Sequence, residues 1–98
     1  MSNVDKVMSA LSKRVRRDVM RLLADGGEHR LFELMDKLDI PQSNMSRHLK
    51  KLKLAGLVQD ERDGQSVRFR ISSALGKKEV TFLKAVLALS ENHSGGKE

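Results

Sequence analysis

The sequence predicts one mainly α-helical domain that carries a single small β-hairpin, and three observations support this. Apolar side chains recur every three to four residues over most of the chain. After Gly56, apolar and polar residues alternate around an Asp-Gly pair, which is typical of a tight hairpin. Two predicted helices are separated only by a short turn that contains Pro41. The predicted fold is a winged helix-turn-helix with about five helices and a two-stranded wing.

Length and composition set the outer limits. The chain has 98 residues, 39% of them hydrophobic, which suits one domain at residues 1–92 and a disordered tail at residues 93–98. It has no apolar run long enough to cross a membrane and no signal-peptide pattern near its start. We therefore expect no membrane partner and a location in the cytoplasm. The absence of cysteine excludes a disulfide framework, a thiolate metal site and a cysteine redox switch.

The first three helices follow from spacing and stop residues. The first begins after Ser2 and carries apolar residues from Val4 to Leu11 at helical spacing. The second lies within "SKRVRRDVMRLLADGG", where the paired glycines end it. The third, "RLFELMDKL", must end before Pro41, because proline pushes the preceding residue out of the helical region.

The fourth helix runs from about Pro41 or Gln42 to Ala55, and the predicted wing follows it, with strands at Leu57–Arg62 and Gln65–Ile71. The last helix, "EVTFLKAVLALSENH", has more apolar surface than one small domain needs. We therefore expect part of this surface to face another subunit. The predicted interface residues are Val4, Val7, Met8, Leu83, Val86 and Leu87.

The fourth helix lies in an acid-free segment of an otherwise mixed sequence. The chain carries 13 acidic residues and a net charge of +6, yet no acid falls between Ile40 and Gln59. A basic face without carboxylates suits a polyanion. Glutamine can pair with adenine and arginine with guanine in the major groove of double-stranded DNA. The predicted DNA-binding residues are Gln42, Ser43, Asn44, Ser46, Arg47, His48 and Lys50 on this helix, and Arg62 and Arg68 on the wing.

Two stretches together resemble a known family. "QSNMSRHLKKLKLAGLV" followed by "RDGQSVRFRI" is similar to the recognition helix and wing of the ArsR/SmtB family, and the resemblance covers about residues 4–90. It implies a homodimeric winged-helix repressor of a bacterial cytoplasm, at the nucleoid, whose subunits pair through the first and last helices. It also implies that the dimer binds an inverted repeat and releases DNA when an inducer binds. It also implies that Gln42, Ser43, Ser46, Arg47 and His48 lie on the DNA-reading helix.

The sequence departs from the family at the sensing sites. The stretch "RLFELMDKL" lacks the cysteines of the family's arsenic site. The metal-ligand positions that the family has on its last helix fall on Lys78, Leu89 and Asn92 in this chain. We therefore predict no metal and no other cofactor. The inducer is left open as a small organic ligand, a protein partner or none. A metal site formed by Glu91 and His93 across a dimer is also left open.

The basic cluster Lys13, Arg14, Arg16 and Arg17 opens the second helix, where positive charge opposes the helix dipole. The cluster therefore predicts a neighbouring acid or a bound anion.

The wing acids Asp60, Glu61 and Asp63 must point away from DNA, or the wing contributes little to binding.

Other classes of function fit less well. No nucleophile, phosphate loop or paired carboxylates indicate an enzyme. The three aromatic residues all lie on apolar faces, which does not favour single-stranded RNA. The remaining alternative is a winged-helix scaffold that binds proteins without specific DNA binding.

Overall fold

The computed structural model describes residues 3–89 and residue 91, and it confirms the winged helix-turn-helix. The two wing strands form an antiparallel hairpin closed by Gly64 and Gln65, and Gly64 takes a positive φ of 66°. In chain order the elements are α1 (Asn3–Ala10), α2 (Arg14–Gly26), β1 (Glu28–Arg30), α3 (Leu31–Leu38), α4 (Gln42–Leu54), β2 (Val58–Asp63), β3 (Ser66–Ile71) and α5 (Lys77–Ala88).

The sheet has three strands, one more than the sequence predicted. Strand β1 pairs antiparallel with β3, so that the order is β1-β3-β2. His29 lies opposite Phe69 in this pairing. The segment "EHR" has too few residues to show an alternating pattern. Its extended conformation is fixed by β3, and β1 leads directly into α3.

A single hydrophobic core joins the five helices to strands β2 and β3. The inner face of α4, formed by Met45, Leu49 and Leu52, is buried as predicted. Val19, Met20 and Leu23 of α2 and Leu34 of α3 pack in the same cluster. Burying side chains of this size contributes roughly 1.5–3 kcal/mol each. The core therefore fixes α4 with its opposite face outward.

The turn between α3 and α4 sets the start of α4. Asp39 ends α3 in the left-handed conformation, with φ 55° and ψ 51°, which aspartate tolerates better than most residues. The Ile40 amide donates a hydrogen bond to the Met35 carbonyl over 3.0 Å. Pro41 then takes the N-cap position of α4, with φ −62°. Three residues thus redirect the chain into a new helix.

The last helix is shorter than predicted, and Glu91, which follows it, contacts α2. Helix α5 ends at Ala88, and Leu89 is extended. The Glu91 carboxylate accepts two hydrogen bonds from Arg17, over 2.8 and 3.0 Å, and also pairs with Arg21 and Arg14. Glu91 therefore supplies an acid that compensates part of the basic cluster on α2, which confirms that prediction.

Replacing Glu91 tests this contact. The hydrogen bonds from Arg17, followed by those from Arg21, lower the pKa of Glu91 from 4.5 to about 2. A lowered pKa stabilises the fold above the unfolded value, so this contribution should be complete above pH 4.5 and disappear as the pH falls towards 2. We expect Glu91→Gln to reduce the free energy of unfolding at pH 7 by about 1–2 kcal/mol, after allowance for solvent screening. Urea unfolding between pH 2 and 7 measures the effect. An equal loss at pH 2 and pH 7 would contradict it.

The predicted dimer residues divide into three groups. Val7 and Leu83 are only 6% and 4% exposed, so most of each side chain is covered by the core of the protomer itself. Val86 and Leu87 are half-buried against the same core. Val4 and Met8 remain exposed on α1. Helical spacing marks an apolar face but does not show which partner covers it.

Two further apolar side chains lie outside the core near this face. Phe82 and Leu89 are 39% and 68% exposed. Phe82, Val4 and Met8 line an open groove of about 320 Å³ between α1 and α5. The sequence-based interface omitted Phe82 and Leu89, although both lie in the apolar segment that predicted it.

Candidate nucleic-acid interface

The outward face of α4 carries polar and basic side chains that the protomer does not use. Each is exposed, and none has a hydrogen bond or ion pair through its side chain with another residue of the described chain. Helical geometry places Ser43, Arg47 and Lys50 on one face. These groups are therefore available to an outside partner. The residues are Gln42, Ser43, Asn44, Ser46, Arg47 and Lys50.

The first turn of α4 adds a second positive feature. Pro41 at the N-cap makes no side-chain hydrogen bond to the helix, and the first turn contains no acid. The free amide groups at the start of a helix favour phosphate, particularly without a competing carboxylate. Asp60, the first acid after α4 in the sequence, forms an ion pair with Lys53 over 2.9 Å.

His48 differs from its neighbours on α4. It is half-buried, and its Nδ1 atom lies 3.2 Å from Nη1 of Arg16 on α2. Burial, followed by the positive charge of Arg16, lowers the pKa of His48 below its usual value of 6.5. The structure therefore connects one edge of this imidazole to α2, which the sequence did not predict.

The two predicted wing arginines have different surroundings. Arg62 is exposed near the hairpin tip and has no ion pair with any residue in the described ranges. Arg68 lies between three carboxylates, with Glu28 at 3.2 Å, Glu61 at 3.5 Å and Asp63 at 3.9 Å. These ion pairs neutralise Arg68, so the structure does not place it as a free cation for DNA.

The wing acids are paired within the chain. Asp60 binds Lys53, Glu61 binds Arg68, and Asp63 lies 3.4 Å from Arg30. The hairpin register could have indicated the Glu61 and Arg68 pair, because these residues lie opposite each other. The approach of Glu28 could not be predicted, since it depends on strand β1.

The described residues provide little support for a metal site. In residues 3–89 and 91, no group of three or more His, Cys, Asp or Glu side chains could hold an ion. Glu91, considered as a ligand across a dimer, is engaged by arginines instead. The other proposed ligand, His93, and the predicted tail lie outside the described residues. Over the same ranges, no helix is long and apolar enough to cross a membrane.

The fold and the free basic face of α4 define a winged helix-turn-helix protein with an exposed recognition helix. The sequence model described as "Bacterial regulatory protein, arsR family" matches residues 13–60, which run from α2 into β2. The chain belongs to this ArsR family.

Similar proteins support this assignment. The chain is 37% identical over 67 residues to the HTH-type transcriptional repressor SmtB of Mycobacterium tuberculosis. The matched residues cover 68% of this chain and 49% of that protein. The chain therefore spans about half the length of this relative. It is 24% identical to the transcriptional repressor SdpR of Bacillus subtilis, over 91% of this chain and 98% of that one.

A solved structure agrees with the observed fold. The solution structure of the homodimeric winged helix-turn-helix DNA-binding domain of Mb0332 from Mycobacterium bovis, a possible ArsR-family transcriptional regulator, matches with a TM-score of 0.77 and 26% identity. The match covers 95% of this chain and 82% of that chain.

Proposed function

We propose that this protein is a sequence-specific DNA-binding transcriptional regulator, a repressor, that acts as a homodimer on an inverted-repeat operator in a bacterial cytoplasm, at the nucleoid. The relatives named above are transcriptional repressors and not enzymes, which agrees with the expectation that this chain is not an enzyme. The observation that carries the proposal is the row of exposed, unengaged side chains on α4, from Gln42 to Lys50. A winged helix that served only as a scaffold would not require this acid-free polar surface.

We assign the DNA contacts by chemistry. Gln42 and Arg47 suit adenine and guanine edges in the major groove, while Ser43, Asn44 and Ser46 suit base or phosphate oxygens. Lys50 and the first-turn amides of α4 suit phosphates. On the wing, Arg62 is the phosphate or minor-groove contact, and Arg68 stabilises the sheet.

We assign the dimer interface to the exposed apolar side chains of α1 and α5, which are Val4, Met8, Phe82 and Leu89. Exposed apolar side chains concentrated on one face indicate a protein contact. The homodimeric state of the Mb0332 domain supports this assignment. A twofold dimer presents two α4 helices, which suits a DNA site with inverted symmetry.

We infer that regulation does not use a thiolate-bound metal or a cysteine redox switch, since the sequence contains no cysteine. An inducer, if one acts on this protein, is a small organic ligand or a protein partner.

Selection of bound duplexes from random DNA, at about 150 mM salt, tests the proposal, because non-specific binding is weak there. We expect enrichment of an inverted repeat with half-sites about one helical turn apart. If a folded, dimeric protein enriches no sequence, the scaffold function replaces the proposed one.

The wing arginines provide a matched comparison. We expect Arg62→Ala to weaken binding to every duplex by a similar factor and to reduce the salt dependence by about one released counterion, because a phosphate contact is lost. Arg68→Ala should leave this salt dependence unchanged and destabilise the sheet. Fluorescence anisotropy at several salt concentrations measures both variants. The reverse order of effects would show that Arg68 is the DNA contact.

A further inference from the structure

The C-terminus of α1 is fixed to α2 by a buried arginine. Arg16 is 8% exposed and is the one buried polar or charged residue in the described chain. Its Nε donates to the Ala10 carbonyl over 2.7 Å, and its Nη2 donates to the Ser9 carbonyl over 3.2 Å. The last carbonyl groups of a helix lack partners within the helix. Arg16 therefore supplies donors to the end of α1.

The remaining Arg16 nitrogen points to α4. Its Nη1 lies 3.2 Å from Nδ1 of His48. A guanidinium group can only donate hydrogen bonds, so His48 Nδ1 must be the acceptor. An accepting Nδ1 carries no proton, and the single proton of the neutral ring must then be on Nε2. The contact thus specifies both the charge and the tautomer of His48.

The surrounding charges favour the same state. The charged groups that act on His48 are Arg16 on α2, Lys13 before α2, and Arg47 on α4, and all three are cations. Protonation of His48 would remove the acceptor at Nδ1 and place two cations in contact. Burial also disfavours the charged ring.

We propose that Arg16 is a positioning residue for DNA recognition: it holds His48 as the neutral Nε2–H tautomer and fixes α4 to the C-terminus of α1. This proposal rests on the DNA-binding function proposed above. Helix α1 carries Val4 and Met8 of the proposed dimer interface, so Arg16 connects the dimer helix directly to the recognition helix. His48 then presents a neutral N–H donor, suited to a DNA oxygen, from a fixed imidazole.

The tautomer can be measured without DNA. We expect long-range ¹H–¹⁵N correlation spectra of the free protein to show His48 protonated at Nε2 only. In Arg16→Gln, we expect a mixture of tautomers and a higher His48 pKa, because a cation has been removed. His29 is the internal control, since its ring contacts Gly26, ten residues along α2 or about 15 Å from Arg16. An Nδ1–H tautomer in the native protein, or an unchanged His48 pKa in the variant, would overturn the proposal.

A double-mutant cycle separates positioning from general stability. The probe is the duplex enriched in the selection described above. We expect Arg16→Gln to weaken binding about tenfold in the native background and less than about twofold in a His48→Gln background. An equal loss in both backgrounds would show that Arg16 acts only through the fold.

Two precautions keep the test decisive. If Arg16→Gln does not fold, Arg16→Lys retains the charge without the fork of donors, and the same cycle is run with it. If the tautomer is as expected but no duplex is enriched, the DNA-binding function fails and the recognition role of Arg16 fails with it. If a duplex is enriched but the cycle shows no coupling, only the role of Arg16 fails.

Discussion

Phe82→Glu should leave the protomer folded and abolish the dimer, whereas Leu83→Glu should unfold the protomer itself. Leu83 is 4% exposed within one protomer, so a glutamate there would bury a charge without a partner. The expected loss exceeds about 4 kcal/mol, a large part of the stability of a small domain. Phe82 is 39% exposed on the groove beside α1, where a charge remains hydrated in the monomer.

Urea unfolding and sedimentation velocity together measure the two effects. A suitable control is Phe32→Glu on α3, because Phe32 is 63% exposed and lines a groove formed by α3 and the turn before α4. This control should remain folded and dimeric. A Phe82→Glu protein that sediments as a dimer would exclude the α1 and α5 interface, and a folded Leu83→Glu monomer would contradict the assignment of Leu83 to the core.

Arg47→Ala should weaken operator binding by about 1–3 kcal/mol and relax the preference at one base pair, because it removes the bidentate contact to guanine that we propose. Arg47 is exposed on α4 and has no ion pair with the described residues, so its removal should leave the fold intact. Affinity for the selected duplex, and for the same duplex with single base changes, measures both parts of the prediction.

The control for charge is Lys84→Ala, an exposed cation on α5. It should change operator affinity much less than Arg47→Ala. A loss in Arg47→Ala that is equal on every duplex would show that Arg47 contacts phosphate only.

Much of the fold and of the candidate site followed from local patterns. The apolar face of α4, formed by Met45, Leu49 and Leu52, is buried as its spacing predicted, and the polar and basic residues on the other side are exposed. Local patterns sufficed here because a helix with one apolar stripe has one stable orientation on a core.

Other features depended on contacts between distant segments. Strand β1 exists because β3 pairs with it, and its Glu28 then neutralises Arg68, a residue that resembled a free DNA contact in the sequence. Val7 and Leu83 share their helical spacing with exposed neighbours, and only packing shows that the protomer covers them.

The sequence by itself determined the helices, the wing, the acid-free face of α4 and the family resemblance, since these depend on neighbouring residues and on residue type. The tertiary structure decided which cations are free and which are neutralised. Arg62 is free of ion pairs in the described chain, while Arg68 is held by three acids and Arg16 is buried against α1 and His48. The physical reason is that ion pairs and hydrogen bonds act over a few ångströms, and only the fold brings Arg16 to His48 and Arg68 to Glu28, which lie 32 and 40 positions apart in the chain.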